Sequence, residues 1–188
     1  VVIGARDEQR GFINKNLKIE NGKLSIQDKN FDLSKFKTIT VLGIGKGSAL
    51  SSLALVEILG SRFTQGMAID VQKPVISQQS PVDSFKIFVG SHPMPDEKNL
   101  SFSKEAVSVL EKLGEGDLLI VIVAGGGSAL FCYPESELEN RKSLIKGLTN
   151  KGVSIRELNV VRKHLSLVKG GGLAKIAYPA TIISLISS

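Results

Sequence analysis

Residues Leu118 to Leu130, LLIVIVAGGGSAL, decide the fold. The run is of strand length, rich in Ile and Val and without polar alternation, which predicts a central strand buried on both faces, as in a parallel sheet. It stops at Gly125-Gly126-Gly127-Ser128, where the backbone can turn tightly with bare N–H groups, and Ala129-Leu130 begins a helix. Three glycines in succession cost more chain entropy than a structural turn needs. The turn therefore reads as a place to hold an anion. Ser128 reads either as a hydrogen-bond donor to that anion or as the cap of the helix.

Working outward, Lys37 to Gly43 (KTITVLG) predicts the first core strand, and Gly43-Ile44-Gly45-Lys46-Gly47-Ser48 is a second glycine-rich turn. The helix that follows, Ala49 to Leu59, is apolar around almost its whole circumference, so it belongs between layers rather than on the surface. Gly43-x-Gly45-Lys46 lacks the third glycine of a dinucleotide fingerprint and the earlier glycine of a Walker A loop. Two readings stand: amides and a Lys46 ammonium facing a phosphate, or a tight turn with a solvated lysine.

The remaining chain alternates in the same way. Leu17 to Ile26 (LKIENGKLSI) places Asn-Gly between two short strands, a hairpin signal. Met67 to Val71 and Lys86 to Val89 are strand candidates around a loop at Gln72 to Ser84. Ser91-His92-Pro93-Met94-Pro95-Asp96 is non-helical, with Asp96 or Asn99 capping a helix that buries Phe102, Ala106, Val109, Leu110 and Leu113. Pro134 to Asn150 reads as a more polar helix with Leu138, Leu144, Ile145 and Leu148 inward. Ser154 and Glu157 form a capping box for a helix from Ile155 whose buried stripe is Leu158, Val161 and Leu165. Gly170-Gly171-Gly172 breaks the chain before a short helix, and Thr181 to Ile186 is a last strand. The prediction is an α/β fold: a Rossmann-like, doubly wound, mostly parallel sheet with helices on both faces and a small N-terminal β-hairpin.

The chain has 188 residues, enough for one domain that buries about 70% of its unfolded surface. Its last predicted core strand lacks a following loop, where a site contribution is expected, so it reads as part of a longer protein. The formal charge of +6 favours anionic partners. The basic residues are scattered and aromatics make up only 5%, which argues against a nucleic-acid stacking surface, and a small phosphorylated or carboxylated ligand explains the charge excess equally well. Cys132 is the single cysteine, so no intrachain disulfide forms and it reads as a core filler. No stretch approaches the roughly 20 apolar residues that span a bilayer, and the simplest location is cytoplasmic. The composition leaves a homo-oligomer open.

His92 and His164 are the only histidines, and their spacing supports neither a catalytic triad nor a metal cluster, so no metal ligand is assigned. His92 reads equally as a ligand contact or a loop hydrogen bond. Asn159, Arg162, Lys163 and Lys169 bring donors to the glycine break, either as a solvated face or as part of a site.

In order and spacing, VLGIGKGSAL, SHPMPDE, VAGGGSALF, ELNVVRKHLSLVKGGGLA and PATIISLISS resemble the type 2 glycerate kinases, the glycerate 2-kinase family. The resemblance covers Phe31 to Ser188. It implies phosphorylation of D-glycerate to 2-phosphoglycerate by ATP, with Mg²⁺, in a two-domain enzyme. Residues 1–188 would be the larger, Rossmann-like N-terminal domain, incomplete and without its C-terminal partner. The lysine of the family's GxGK motif is a leading catalytic residue and maps to Lys46. Alanine usually follows that lysine, where this chain has Gly47-Ser48. Phosphate or substrate binding would fall to Gly43, Gly45, His92, Gly125, Gly126, Gly127, Ser128, Asn159, Arg162, Lys163 and Lys169. An acidic segment that follows the last strand in relatives, and helps to hold metal there, is not in this sequence. Two alternatives are a non-catalytic phosphate- or nucleotide-binding module and a hydroxypyruvate reductase, a label that relatives often carry. The missing third glycine argues against the reductase.

Overall fold

Asn21 and Gly22, at φ 52° and 73°, form the left-handed pair of a hairpin turn joining β1 (Leu17–Glu20) to β2 (Lys23–Ile26). The structure is a computed structural model that describes residues 11, 13–15, 17–26, 29–74, 83–140, 147 and 154–187. The expected hairpin gains a further strand, β3 (Lys29–Asp32), antiparallel to β2. Its sequence, KNFD, has a single apolar residue, too little alternation to signal a strand.

The central sheet starts with β4 (Thr38–Ile44), followed by α1 (Ser48–Leu59), β5 (Gln65–Asp70), β6 (Phe85–Val89), α2 (Glu97–Leu110) and β7 (Asp117–Val123). The single-turn α3 (Gly127–Leu130), α4 (Ile155–Leu165), α5 (Gly172–Ala177) and β8 (Thr181–Ile186) complete it. The strand order is β6-β5-β4-β7-β8 and every pairing is parallel. This is the doubly wound arrangement expected. The chain leaves β4 toward one edge and returns beside it as β7, so the sheet's direction of winding reverses between these two strands.

Strand periodicity divides the core into two layers. Leu118, Ile120 and Ile122 of β7 join Ile39 and Val41 of β4 beneath α1, with Leu17, Leu24 and Leu33 of the N-terminal unit covering that helix from outside. Leu119 and Val121 face the other way with Leu42, Ile44, Met67 and Ile69, against Phe102, Ala106, Val107 and Leu110 of α2 and Ala177 of α5. Burial of α1 on both sides explains its lack of a polar face. Each fully buried Leu or Val contributes about 1.5–3 kcal/mol to holding it there. Cys132 is buried, as a core filler should be.

One expectation is revised. Val161 and Leu165 of α4 are only half-buried, and Val160 beside them is 55% exposed. Periodicity identifies the apolar side of a helix but not whether a layer covers it. The side chain of Leu158 lies outside the described residues, as does most of the helix expected at Pro134 to Asn150. Residues 135–140 are helical, and Glu137 and Leu138 are buried. No helix among the described residues is long and apolar enough to cross a membrane.

Candidate active site

Gly45, at φ 122°, starts the turn that leads from β4 to α1, and its α-carbon lies against the next strand's loop: a Cβ there would stand 2.5 Å from the Ala124 carbonyl oxygen. The Lys46 amide donates to the Gly125 carbonyl at 2.8 Å, and the Ala124 amide donates to Ile44 at 2.8 Å. The two glycine turns predicted from sequence are thus joined directly. They meet at the carboxyl ends of β4 and β7, where the winding reverses, which is where open α/β sheets bind ligands.

A third loop enters the same place. A Cβ on Gly126, itself at φ 80°, would lie 2.9 Å from Cδ2 and 3.0 Å from Nε2 of His92, and 3.5 Å from Cε of Lys46. The imidazole and the lysine stem therefore converge over a residue that only glycine can occupy. Lys46 is exposed, and no described carboxylate pairs with its ammonium. Among the described residues no acceptor takes the Gly125 or Gly126 amide, whereas Gly127 donates to Ala124 at 3.2 Å. A cationic side chain, an imidazole and outward amides can together receive an anion.

Asn99 holds the histidine loop in place, a larger role than the cap read from sequence. Its buried amide donates to the carbonyls of Ser91, Ala129 and Leu130 at 3.1, 3.4 and 3.3 Å, while its Oδ1 accepts from Ser91 and Asp96 at 2.9 and 3.1 Å. Asp96 caps α2, and a hydrogen bond from the Ser91 hydroxyl leads the causes that hold its carboxyl below the ordinary aspartate value.

The string Gly-Ser-Ala-Leu occurs in both turns but enters its helix one residue out of phase. Ser48 is the first residue of α1, is buried and donates to the Ile69 carbonyl at 3.0 Å. Ser128 is the second residue of α3 and is exposed, because the cap there is Gly126. The capping role considered for Ser128 is therefore corrected. Gly43 lies within β4, and a Cβ would meet the Ser52 hydroxyl at 2.3 Å, so close packing against α1 accounts for it.

The basic residues of α4 and beyond are less uniform than their sequence implies. Asn159 and Lys163 are exposed, and Asn159 accepts from Nη1 of Arg162 at 3.3 Å. Burial lowers the Arg162 pKa, partly opposed by the negative charge of Glu137. Lys169 donates to the Phe131 carbonyl at 2.8 Å, to the Ser166 hydroxyl at 3.3 Å and to the buried carboxylate of Glu137. Those bonds leave its ammonium no N–H for a phosphate, which corrects its expected place in an anion pocket. Lys169→Met should destabilise the protein by about 2 kcal/mol in a denaturant titration, at or below the low end for a broken buried pair because Arg162 remains near Glu137. A lysine facing only ligand would show no such loss.

The family model "Domain of unknown function (DUF4147)" matches residues 6–188. The glycerate 2-kinase of Pyrococcus horikoshii is 34% identical over 98% of this chain and 40% of its own length. The D-glycerate 2-kinase of Thermotoga maritima is 33% identical over 80% of this chain and 36% of its own. The crystal structure of glycerate kinase from Thermotoga maritima superposes with a TM-score of 0.72 at 26% identity, covering 99% of this chain and 44% of that one. The chain thus spans less than half the length of these relatives.

Proposed function

We propose, from the premise that this chain belongs to the glycerate kinase family, that it supplies the lysine-bearing wall of an active site that phosphorylates D-glycerate. The observation that carries the reading is the convergence of Lys46 and His92 over Gly126, at the crevice between β4 and β7. Phosphoryl transfer depends chiefly on positioning and on neutralising charge, and these are what an exposed ammonium and unpaired amides can provide.

In this reading ATP is the donor and 2-phosphoglycerate the product. The 2-hydroxyl oxygen of glycerate gives up its proton to solvent and bonds to the γ-phosphorus as the bond from that phosphorus to the β,γ-bridging oxygen breaks, and ADP departs. Lys46 neutralises charge on the phosphoryl group in transit. The Gly125 and Gly126 amides and His92 face an anionic oxygen, either of a phosphate or of the glycerate carboxylate. Among the described residues no group of three His, Cys, Asp or Glu side chains could hold a metal ion. Mg²⁺ is commonly held by substrate phosphates and one or two carboxylates and would arrive here with ATP; no step here runs through it.

The test is the full encoded protein incubated with D-glycerate and ATP, with the product identified by phosphorus NMR. Appearance of 2-phosphoglycerate is expected. Consumption of NADH with hydroxypyruvate, and no phosphorylated product, would instead establish a reductase.

A further inference from the structure

We propose that Asp70 is a positioning residue for Lys46, filling from inside the protein the anion position at the start of α1. The inference rests on Lys46 facing the transferred phosphoryl group. Asp70 ends β5, on the strand next to β4, and is 4% exposed. Its Oδ2 accepts from the Gly47 and Ala49 amides at 2.9 and 3.3 Å, and its Oδ1 accepts from the Val71 amide at 2.7 Å. Free amides and the helix dipole make the start of a helix attractive to an anion. Here a carboxylate of the chain takes that place.

Two consequences follow for the site. The amides of Gly45, Lys46 and Gly47 are all spent, on Ile69, Gly125 and Asp70 respectively. A glycine-rich turn that resembles a phosphate loop is thereby converted into a rigid mount, and what it presents to the crevice is the lysine side chain. The buried negative charge also repels a phosphate from the start of α1, so the phosphoryl group is met by the ammonium and not by the helix terminus.

Asp70→Asn retains the size of the side chain but offers one acceptor oxygen in place of two, so an NH₂ group must face one set of amides. In the full-length protein kcat should fall about tenfold to a hundredfold, with KM for glycerate and ATP within about threefold and Tm lowered by only a few degrees through the mismatched amides. A structural role alone would lower Tm without separating kcat from KM. The second measurement needs no activity: inorganic phosphate is titrated while the Gly47 and Ala49 amides are followed by nitrogen-15 NMR. These signals should stay fixed in the unaltered protein and move in Asp70→Ala, or in Asp70→Asn if the alanine variant does not fold. Near-normal kcat in Asp70→Asn, amides that respond to phosphate in the unaltered protein, or amides that stay fixed in the variant would each overturn the assignment. An unaltered protein that does not phosphorylate glycerate would sink the kinase reading and with it the link to Lys46, and the phosphate titration would still decide whether Asp70 fills the anion position.

Discussion

Lys46→Ala in the full-length protein should lower kcat by about a hundredfold to a thousandfold, the cost of removing one preorganised group from a developing negative charge. The fold should survive. Lys46 is exposed and binds the neighbouring turn through its backbone amide, which alanine retains. Thermal unfolding should therefore shift by no more than about 0.5 kcal/mol, as for an ordinary surface substitution. Lys46→Arg should recover part of the rate, because charge returns on a planar and longer group that cannot reproduce a point ammonium. If Lys46→Ala turns over within threefold of the unaltered protein, the lysine is a bystander and the reading of the crevice fails with it.

Gly45→Ala should have the largest effect on stability. A methyl group there meets the backbone of Ala124, with its oxygen at 2.5 Å and its carbonyl carbon at 2.7 Å, and neither is the movable end of a side chain. The residue is also at φ 122°, where an L side chain is strained. Overpacking and backbone strain together cost about 4 kcal/mol. At about 2–4 °C per kcal/mol for a domain of this size, the midpoint of thermal unfolding should fall by roughly 10 °C. Gly125→Ala is the matched control, since nothing lies within 4 Å of a Cβ at that position. Equal stability of the two variants would mean that the turns do not touch as described.

This contrast shows what the sequence could and could not convey. The unbroken apolar run of β7 and the all-round apolar surface of α1 both stated their burial directly, and the sheet followed. The capping box at Ser154 and Glu157 was equally legible, because helix termini are satisfied locally. Three consecutive glycines, however, looked alike in the sequence and differ in the fold. Gly126 is required by His92, while Gly125 has no steric neighbour at all. Asp70 gave no signal, since one acid at the end of a strand has no pattern, and the helix-start amides it serves, Gly47 and Ala49, lie 23 and 21 residues away. Lys169 was read with the basic residues near it in the chain, but its counter-charge, Glu137, lies 32 residues away and becomes a neighbour only through the fold.

Asn99 extends this point to how the crevice comes into being. One side-chain amide joins a loop 8 residues before it to carbonyls 30 and 31 residues after it. Bonds over such separations form only after the intervening chain has been closed into place, and closure costs entropy before it returns any contact. The sheet and α2 must therefore be docked before the histidine loop has anything to rest on. The crevice is assembled late, as a product of the finished fold, and no peptide cut from any one of its three loops would carry it.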